Sequence, residues 1–122
     1  MGKEHEVVVI KSNDTIKSIS ENPRGGTGIV INNRYLDAAE LDNNLTGLYL
    51  NELEVGSEIG YHEHFGEEEI YYIVDGNGII TDNAEKSEIK AGDVIYTKSG
   101  EGHGMINTGD RPLKFLAFIV KK

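Results

Sequence analysis

The chain has 122 residues, which suits one ordinary domain and leaves no room for a second independent core. Its 21 acidic and 12 basic residues give a formal net charge of −9 at pH 7, which repels phosphate backbones and anionic membrane surfaces. We therefore expect neither a nucleic acid nor a membrane among its partners. The 38% of hydrophobic residues is enough to build one compact interior.

The chain contains no cysteine, which limits both the cellular compartment and the kind of metal ligands that we expect. Disulfides and thiolate ligands are excluded, so any bound metal must be held by nitrogen and oxygen atoms. Residues 7–10 form an apolar run much too short for a signal sequence or a membrane span. Glu6 stands where a myristoylation site needs Ser or Thr, so a lipid anchor is not expected either. These features predict a cytoplasmic protein.

The secondary structure is predicted to be all-β, because the apolar segments have strand length and lie between glycine-rich and Asn/Asp-rich turns. A stretch at residues 37–42 is helix-like but too short to be more than a single turn. The glycines in residues 23–28 lack the Lys-Ser/Thr pair of a phosphate loop, which favours a plain connecting loop. The predicted strands are residues 6–10, 28–33, 47–53, 59–63, 69–74, 78–81, 87–90, 94–97, 102–107 and 113–120. Such a series is typical of a barrel or a sandwich.

Three of the four histidines fall in places that suit a metal site. His62 and His64 are two residues apart in a predicted strand, so their imidazoles point to the same face. A tight turn after His64 would bring the carboxylate of Glu69 beside them. His103 begins another alternating strand, whose inward face we expect to meet the first pair across the barrel. His5 lies among charged residues near the terminus and is predicted to be exposed.

Two segments with these residues closely resemble the signature motifs of the cupin superfamily. The first segment covers residues 56–76 and contains Gly56, His62, His64, Glu69 and Gly76. The second segment covers residues 92–107 and contains Gly92, Gly100, His103 and Asn107. The departure from the family pattern is Lys98, which stands where the family usually has proline and puts the rigidity of that loop in doubt.

The resemblance implies one domain over residues 1–122 with the cupin fold, a double-stranded β-helix or jelly-roll β-barrel. It also implies that His62, His64, Glu69 and His103 bind one divalent metal ion. The four motif glycines would serve turns, and Asn107 would be structural or lie behind the ligands. Glu68 is the alternative to Glu69 if the turn is one residue tighter, although the six-residue step to Gly76 favours Glu69. Burying these groups together without an ion would be costly, which disfavours a metal-free barrel.

Three imidazoles and a carboxylate suit Mn, Fe, Co, Ni, Cu or Zn and do not choose among them. A site with open coordination positions could take a small chelating anion, such as a 2-oxo acid, a diketone or a sugar acid. Alternation from Glu69 and His103 sends Tyr71, Ile73 and Met105 inward. Tyr71 is therefore the candidate for orienting a ligand or moving a proton, and the alternative is a core tyrosine whose hydroxyl reaches the barrel mouth.

The family implies oxygenase, isomerase, decarboxylase or lyase chemistry on a small metabolite, with the metal as Lewis acid. Two alternatives remain open, a module that binds a sugar or metabolite without turnover and a structural metal site. The outward-facing residues Tyr72 and Val74 are apolar or aromatic and are expected to be shielded from water by another part of the protein, as are Val7 and Val9 in the N-terminal strand. Exchange or packing of that strand in a homodimer, which is common in cupins, would shield these residues.

Overall fold

A computed structural model describes residues 8–121, which form ten antiparallel strands in two sheets. The six-stranded sheet has the order β1-β2-β3-β10-β5-β8, and the four-stranded sheet has the order β4-β9-β6-β7. The fold is thus the predicted all-β jelly roll. Within residues 8–121, none of the helical segments has the length and apolar character needed to cross a membrane. The strands are β1 Ile16–Glu21, β2 Ile29–Asp37, β3 Leu45–Leu53, β4 Glu58–Glu63, β5 Glu67–Asp75, β6 Asn77–Asp82, β7 Glu85–Lys90, β8 Val94–Thr97, β9 Gly102–Asn107 and β10 Leu113–Lys121.

The core lies between the two sheets and is built by strand alternation. In β5, Tyr71 and Ile73 are buried on the inner face, while Tyr72 and Val74 between and after them are exposed. Met105 of β9 is buried as well, so the three side chains predicted to point inward do so. The largest fully buried apolar side chains are Leu53, Ile73, Met105, Leu113 and Phe115. They form one contiguous cluster, which is the hydrophobic core of the domain.

Turn geometry explains the motif glycines. Gly56, Gly76, Gly92 and Gly100 all have positive φ, as their predicted role in turns requires. Gly76 also lacks space, because a Cβ there would lie 2.8 Å from the carbonyl oxygen of Pro112. The β5–β6 hairpin therefore depends on glycine at this position for two separate reasons.

The prediction of a strand at residues 6–10 was wrong for its described part. Val8 and Val9 lie outside any strand and are exposed, and Glu6 and Val7 are outside the described residues. The first strand within residues 8–121 is instead β1, which periodicity does not predict because its apolar residues lie on both faces. It forms an edge of the sheet by pairing along its length with β2, from Ile16 opposite Arg34 to Glu21 opposite Ile29.

The helix-like stretch at residues 37–42 contains one short turn, as predicted, at Ala38–Glu40. Asp37 caps it by accepting a hydrogen bond from the backbone N–H of Ala39 at 3.0 Å. The Glu40 carboxylate returns a bond from the backbone N–H of Asp37 at 3.1 Å. This reciprocal pair is a capping box, which stabilises a turn that would otherwise be too short to persist.

The outer face of the six-stranded sheet carries a patch of exposed apolar side chains at its β8 edge. Tyr72 lies opposite Val94 and Ile70 opposite Tyr96, so the exposed members adjoin one another. Such a patch is typical of an interaction surface. The homodimer stays a prediction, which the mass of the protein in solution would test. Exchange or packing of the N-terminal segment in such a dimer also stays a prediction.

Candidate metal centre

Four side chains from three strands converge at one end of the barrel interior. His62 lies in β4 and His64 directly after it, Glu69 lies in β5, and His103 lies in β9. One nitrogen or oxygen atom from each side chain lies within 4.8 Å of those of the others. His64, Glu69 and His103 are buried and His62 is half-buried, so the centre is shielded from bulk solvent except on one side. The four residues singled out in the sequence therefore do form one cluster.

The arrangement of the strands corrects the predicted position of His103. We expected it to face His62 and His64 across the barrel, but β9 is the direct neighbour of β4 in the same sheet. His103 is paired with His62 in the ladder, and the residue that crosses from the opposite sheet is Glu69. The three imidazoles are consequently packed edge-on, with ring centroids 4.8–5.1 Å apart.

Hydrogen bonds behind the rings fix which nitrogen of each imidazole faces the centre. Nδ1 of His62 lies 2.8 Å from the carbonyl oxygen of Gly60, and Nδ1 of His64 lies 3.2 Å from a carboxylate oxygen of Glu67. Since both partners are acceptors, each Nδ1 carries the hydrogen, and in the neutral ring Nε2 is left with a free lone pair. Nδ1 of His103 pairs with the buried hydroxyl of Thr97 at 2.7 Å. This pattern of supported rings is typical of metal-binding histidines.

The polar atoms in front of the rings lie close to one another. Oε1 of Glu69 is buried and lies 3.0 Å from Nε2 of both His64 and His103, so it can accept a hydrogen bond only from a ring that carries a proton on Nε2. The two Nε2 atoms are themselves 3.3 Å apart. Contacts between acceptors at these distances are repulsive unless a proton or a cation lies between them. The residues therefore fit a divalent metal ion bound by three nitrogens and one carboxylate oxygen.

The protonation states of these side chains also suit the binding of a metal ion. Burial raises the pKa of Glu69, but the neighbouring His103 and His64 outweigh burial and bring that pKa down to about 2. Burial lowers the pKa of His62, which keeps this ring neutral. The carboxylate of Glu69 raises the pKa of His64, so in the metal-free protein a proton competes for that ring. Around neutral pH the cluster thus contains an anionic carboxylate and ring nitrogens that can bind a cation.

Glu68, the alternative to Glu69, lies outside the cluster. Its Oε1 accepts a hydrogen bond from the hydroxyl of Tyr96 at 2.9 Å, on the exposed side of the sheet. Alternation along β5 separates the two glutamates, because adjacent strand residues point to opposite faces. His5 lies outside the described residues, so its predicted exposure stays a prediction.

Tyr71 lies against the cluster. Its hydroxyl is 3.3 Å from Nε2 of His103, and its ring stacks on that imidazole with centroids 4.9 Å apart. Its other neighbour is the core residue Phe115, so the side chain belongs both to the core and to the site. Burial, and after it the charge of Glu69, raise the pKa of Tyr71 well above its usual range. The hydroxyl therefore keeps its proton at any physiological pH.

The loop that contains Lys98 is held by hydrogen bonds. The backbone N–H of Lys98 donates to the Glu101 carboxylate at 3.2 Å, a bond that proline could not form. The backbone of His64 accepts a bond from Gly100 at 2.6 Å and donates one to Glu101 at 3.0 Å. Ser99 adds a bond from the N–H of Gly66 at 3.0 Å. The loop is thus tied to the backbone of a cluster residue without the motif proline.

Asn107 supports the barrel at a distance from the cluster, as expected of a structural residue. Its Nδ2 donates to the carbonyl oxygens of Leu53 and Arg111, both at 2.9 Å, and its Oδ1 accepts from Gly109 at 2.9 Å. The side chain is buried, so these bonds satisfy polar atoms that water does not reach.

A cavity of about 570 Å³ opens directly above the cluster. His62, His64, Glu69 and Tyr71 form part of its wall, and the rest comes mainly from β1, β2, β3 and the loop before β2. Two cationic side chains, Arg24 and Arg34, line it too. Neither was predicted, because residues 23–28 were interpreted as a plain loop and the predicted strand at residues 28–33 ended before Arg34. The cavity is large enough for a small metabolite.

Comparisons with known proteins agree with this fold. A family model described as a cupin domain matches residues 49–119. An "oxalate-binding protein" of Thermotoga maritima is 41% identical over 118 residues, which are 97% of this chain and 98% of that protein. The crystal structure of a "predicted oxalate decarboxylase" from Thermotoga maritima has a TM-score of 0.90 and 40% identity, and the match covers 94% of this chain and 100% of that one.

More distant structures share the fold alone. The polyketide cyclase RemF of Streptomyces resistomycificus has a TM-score of 0.76 at 16% identity, over 96% of this chain and 81% of that one. Similarity of fold does not by itself indicate a shared reaction, and the chemistry of each protein must be argued from its own site.

Proposed function

Because this chain belongs to the cupin family, we propose that it binds one divalent metal ion through His62, His64, Glu69 and His103 and uses it to bind oxalate. The observation that carries the proposal is the convergence of these four side chains, in which the buried Oε1 of Glu69 lies 3.0 Å from Nε2 of both His64 and His103. The donor set suits Mn, Fe, Co, Ni, Cu or Zn. When bound, such an ion supplies a Lewis acid that chelating oxygen atoms can coordinate.

Oxalate fits the chemistry of this centre. A divalent ion beside a single carboxylate keeps a local positive charge, which attracts a small dianion into an otherwise acidic protein. The cavity above the cluster is lined by arginines and by the hydroxyl-bearing residues Ser18, Ser20 and Tyr71. A relative that matches nearly the whole chain is named for oxalate binding, which supports the same ligand. Tyr71, with its proton retained, would donate a hydrogen bond to the anion.

Binding without turnover is favoured over decarboxylation. To release CO₂ from oxalate, the C–C bond must break and the remaining carbon must gain a proton to become formate. A proton donor for that step works best with a pKa near the operating pH. The pKa of Tyr71, raised by burial, makes it a poor acid. Decarboxylation stays the second candidate, because a similar solved structure is described as a predicted oxalate decarboxylase.

The test is calorimetric titration of oxalate into the protein after loading with Mn²⁺ and, separately, after removal of metal. We expect one oxalate per metal ion and no binding to the metal-free protein. Headspace CO₂ and formate are measured in the same samples, and their absence separates the binding protein from the decarboxylase. Metal-loaded protein that binds no oxalate would refute the proposed ligand.

Thr97 is expected to support the metal through His103. Thr97→Val keeps the shape of the side chain but removes the hydroxyl that lies 2.7 Å from Nδ1 of the ring. Loss of such a supporting bond lowers metal affinity by about 10- to 100-fold. Competition with a chromophoric chelator measures the change. Thr108→Val, at an exposed turn, is the control and should keep the original affinity. Equal affinities for all three proteins would show that the Thr97 bond does not position the ligand.

A further inference from the structure

Arg24 sits in the loop before β2, in the short turn Pro23–Gly25, and its own backbone is left-handed, with φ of 54° and ψ of 35°. Non-glycine residues adopt this conformation at an energetic cost and persist in it where the surroundings demand it. The surroundings here are the backbone of β4, the strand that leads to His62 and His64. A strained arginine fixed beside a cluster of this kind is a candidate for a functional role.

Close backbone contacts hold the loop against β4. Thr27 and Glu58 exchange two backbone hydrogen bonds, at 3.0 and 2.8 Å. Gly60 of β4 is packed so tightly beside the carbonyl of Arg24 that a Cβ on Gly60 could not be accommodated. The carbonyl oxygen of this same Gly60 orients the imidazole of His62. The position of Arg24 is therefore fixed relative to a predicted metal ligand.

Arg24 forms part of the wall of the cavity above the cluster. Its side chain lines the cavity together with His62 and Tyr71. A ligand that fills this cavity can therefore contact Arg24 and the cluster at the same time.

This charge has no carboxylate partner in residues 8–121. Arg34, which lines the same cavity, is paired with Asp37 at 3.3 Å, and Arg111 is paired with Asp75 at 2.9 Å. Arg24 has no such ion pair, although Glu21 lines the same cavity and the protein carries a net charge of −9. An unpaired guanidinium at the mouth of a cavity is available to a bound anion.

We propose that Arg24 is the specificity-determining residue of the site, and that its guanidinium binds the two outer oxygens of a metal-chelated dicarboxylate. This inference rests on the proposed function. Oxalate can chelate a metal with one oxygen from each carboxylate, which leaves two parallel oxygens on the far edge of the molecule. The planar fork of arginine matches such a pair with two parallel N–H donors, whereas the single ammonium of lysine does not. A 2-hydroxy acid such as glycolate, which chelates through its hydroxyl, offers only one outer oxygen.

The experiment compares Arg24→Gln and Arg24→Lys with the original protein, all loaded with Mn²⁺, by titration with oxalate and with glycolate. Arg111→Gln is the matched control, because it removes the same charge at an exposed position outside the cavity. We expect Arg24→Gln to weaken oxalate binding by about 10- to 150-fold. The loss for glycolate should be smaller, and Arg24→Lys should recover only part of the oxalate affinity. Manganese stoichiometry and the melting temperature should not change.

The outcomes separate this inference from the proposed function. If the original protein binds oxalate and Arg24→Gln binds it equally well, the role of Arg24 is refuted while the proposed function stands. An equal loss for oxalate and glycolate would reduce Arg24 to a general electrostatic attractor and also overturn the proposal. A loss of manganese in both Arg24 variants would show a purely structural role. Failure of the original protein to bind oxalate would overturn the proposed function and this inference together.

Discussion

Replacement of both His62 and His64 by alanine is expected to reduce bound metal from stoichiometric to undetectable. The two rings supply two of the four proposed ligands, and the remaining Glu69 and His103 cannot enclose an ion. The barrel should still fold, because its core is the separate apolar cluster around Leu53, Ile73 and Phe115. Elemental analysis after gel filtration measures the metal, and circular dichroism measures the fold.

Thermal unfolding gives this prediction a second measurement. A ligand that binds only the folded state stabilises it by about 4 kcal/mol when its free concentration is a thousand times Kd. Added metal should therefore raise the melting temperature of the original protein and leave that of the double variant unchanged. A double variant that retains stoichiometric metal would show that the ion is held elsewhere.

Glu69→Gln is expected to reduce metal affinity by more than about 100-fold, since it removes the only charged ligand of the cluster and supporting residues alone account for 10- to 100-fold. The metal-free variant should also be less stable at neutral pH than the metal-free original protein, because the lowered pKa of Glu69, about 2, means that its ionised carboxylate stabilises the folded state. Metal titration and urea unfolding in the presence of a chelator test the two parts separately.

Glu68→Gln is the matched control for that experiment, because it makes the same chemical change one residue away. Its carboxylate bonds to Tyr96 on the outer face, so metal affinity should stay within about twofold of the original. If Glu68→Gln lost metal and Glu69→Gln kept it, the assignment of the carboxylate ligand would be wrong.

Much of the fold follows from local sequence patterns. Alternation in β5 and β9 predicts the buried residues Tyr71, Ile73 and Met105, because a strand with one buried face must alternate. The positive φ values of Gly76 and Gly92 are likewise consistent with the glycine-rich turns. The strand β1 could not be predicted in this way, since Ile16 and Ile19 lie on opposite faces of an exposed edge. It forms because β2 offers a partner, which is a property of the tertiary structure.

In the site, too, some positions follow from local spacing in the sequence and others depend on the pairing of distant strands. The spacing of His62, His64 and Glu69 places them together through one turn. The position of His103 depends on the pairing of β4 with β9, two strands about 40 residues apart in the chain, and local periodicity does not report such pairings. The placement of Arg24 depends on the bridge between Thr27 and Glu58, and it is equally invisible in the sequence.

The most direct test of the metal centre is elemental analysis of the protein purified without a metal-chelating tag, followed by titration of the stripped protein with Mn²⁺, Fe²⁺, Co²⁺, Ni²⁺, Cu²⁺ and Zn²⁺. The proposed site predicts a stoichiometric divalent ion in the purified protein, or uptake of one ion per chain after stripping. A protein that contains none of these ions and takes up none of them would contradict the assignment of His62, His64, Glu69 and His103 as metal ligands.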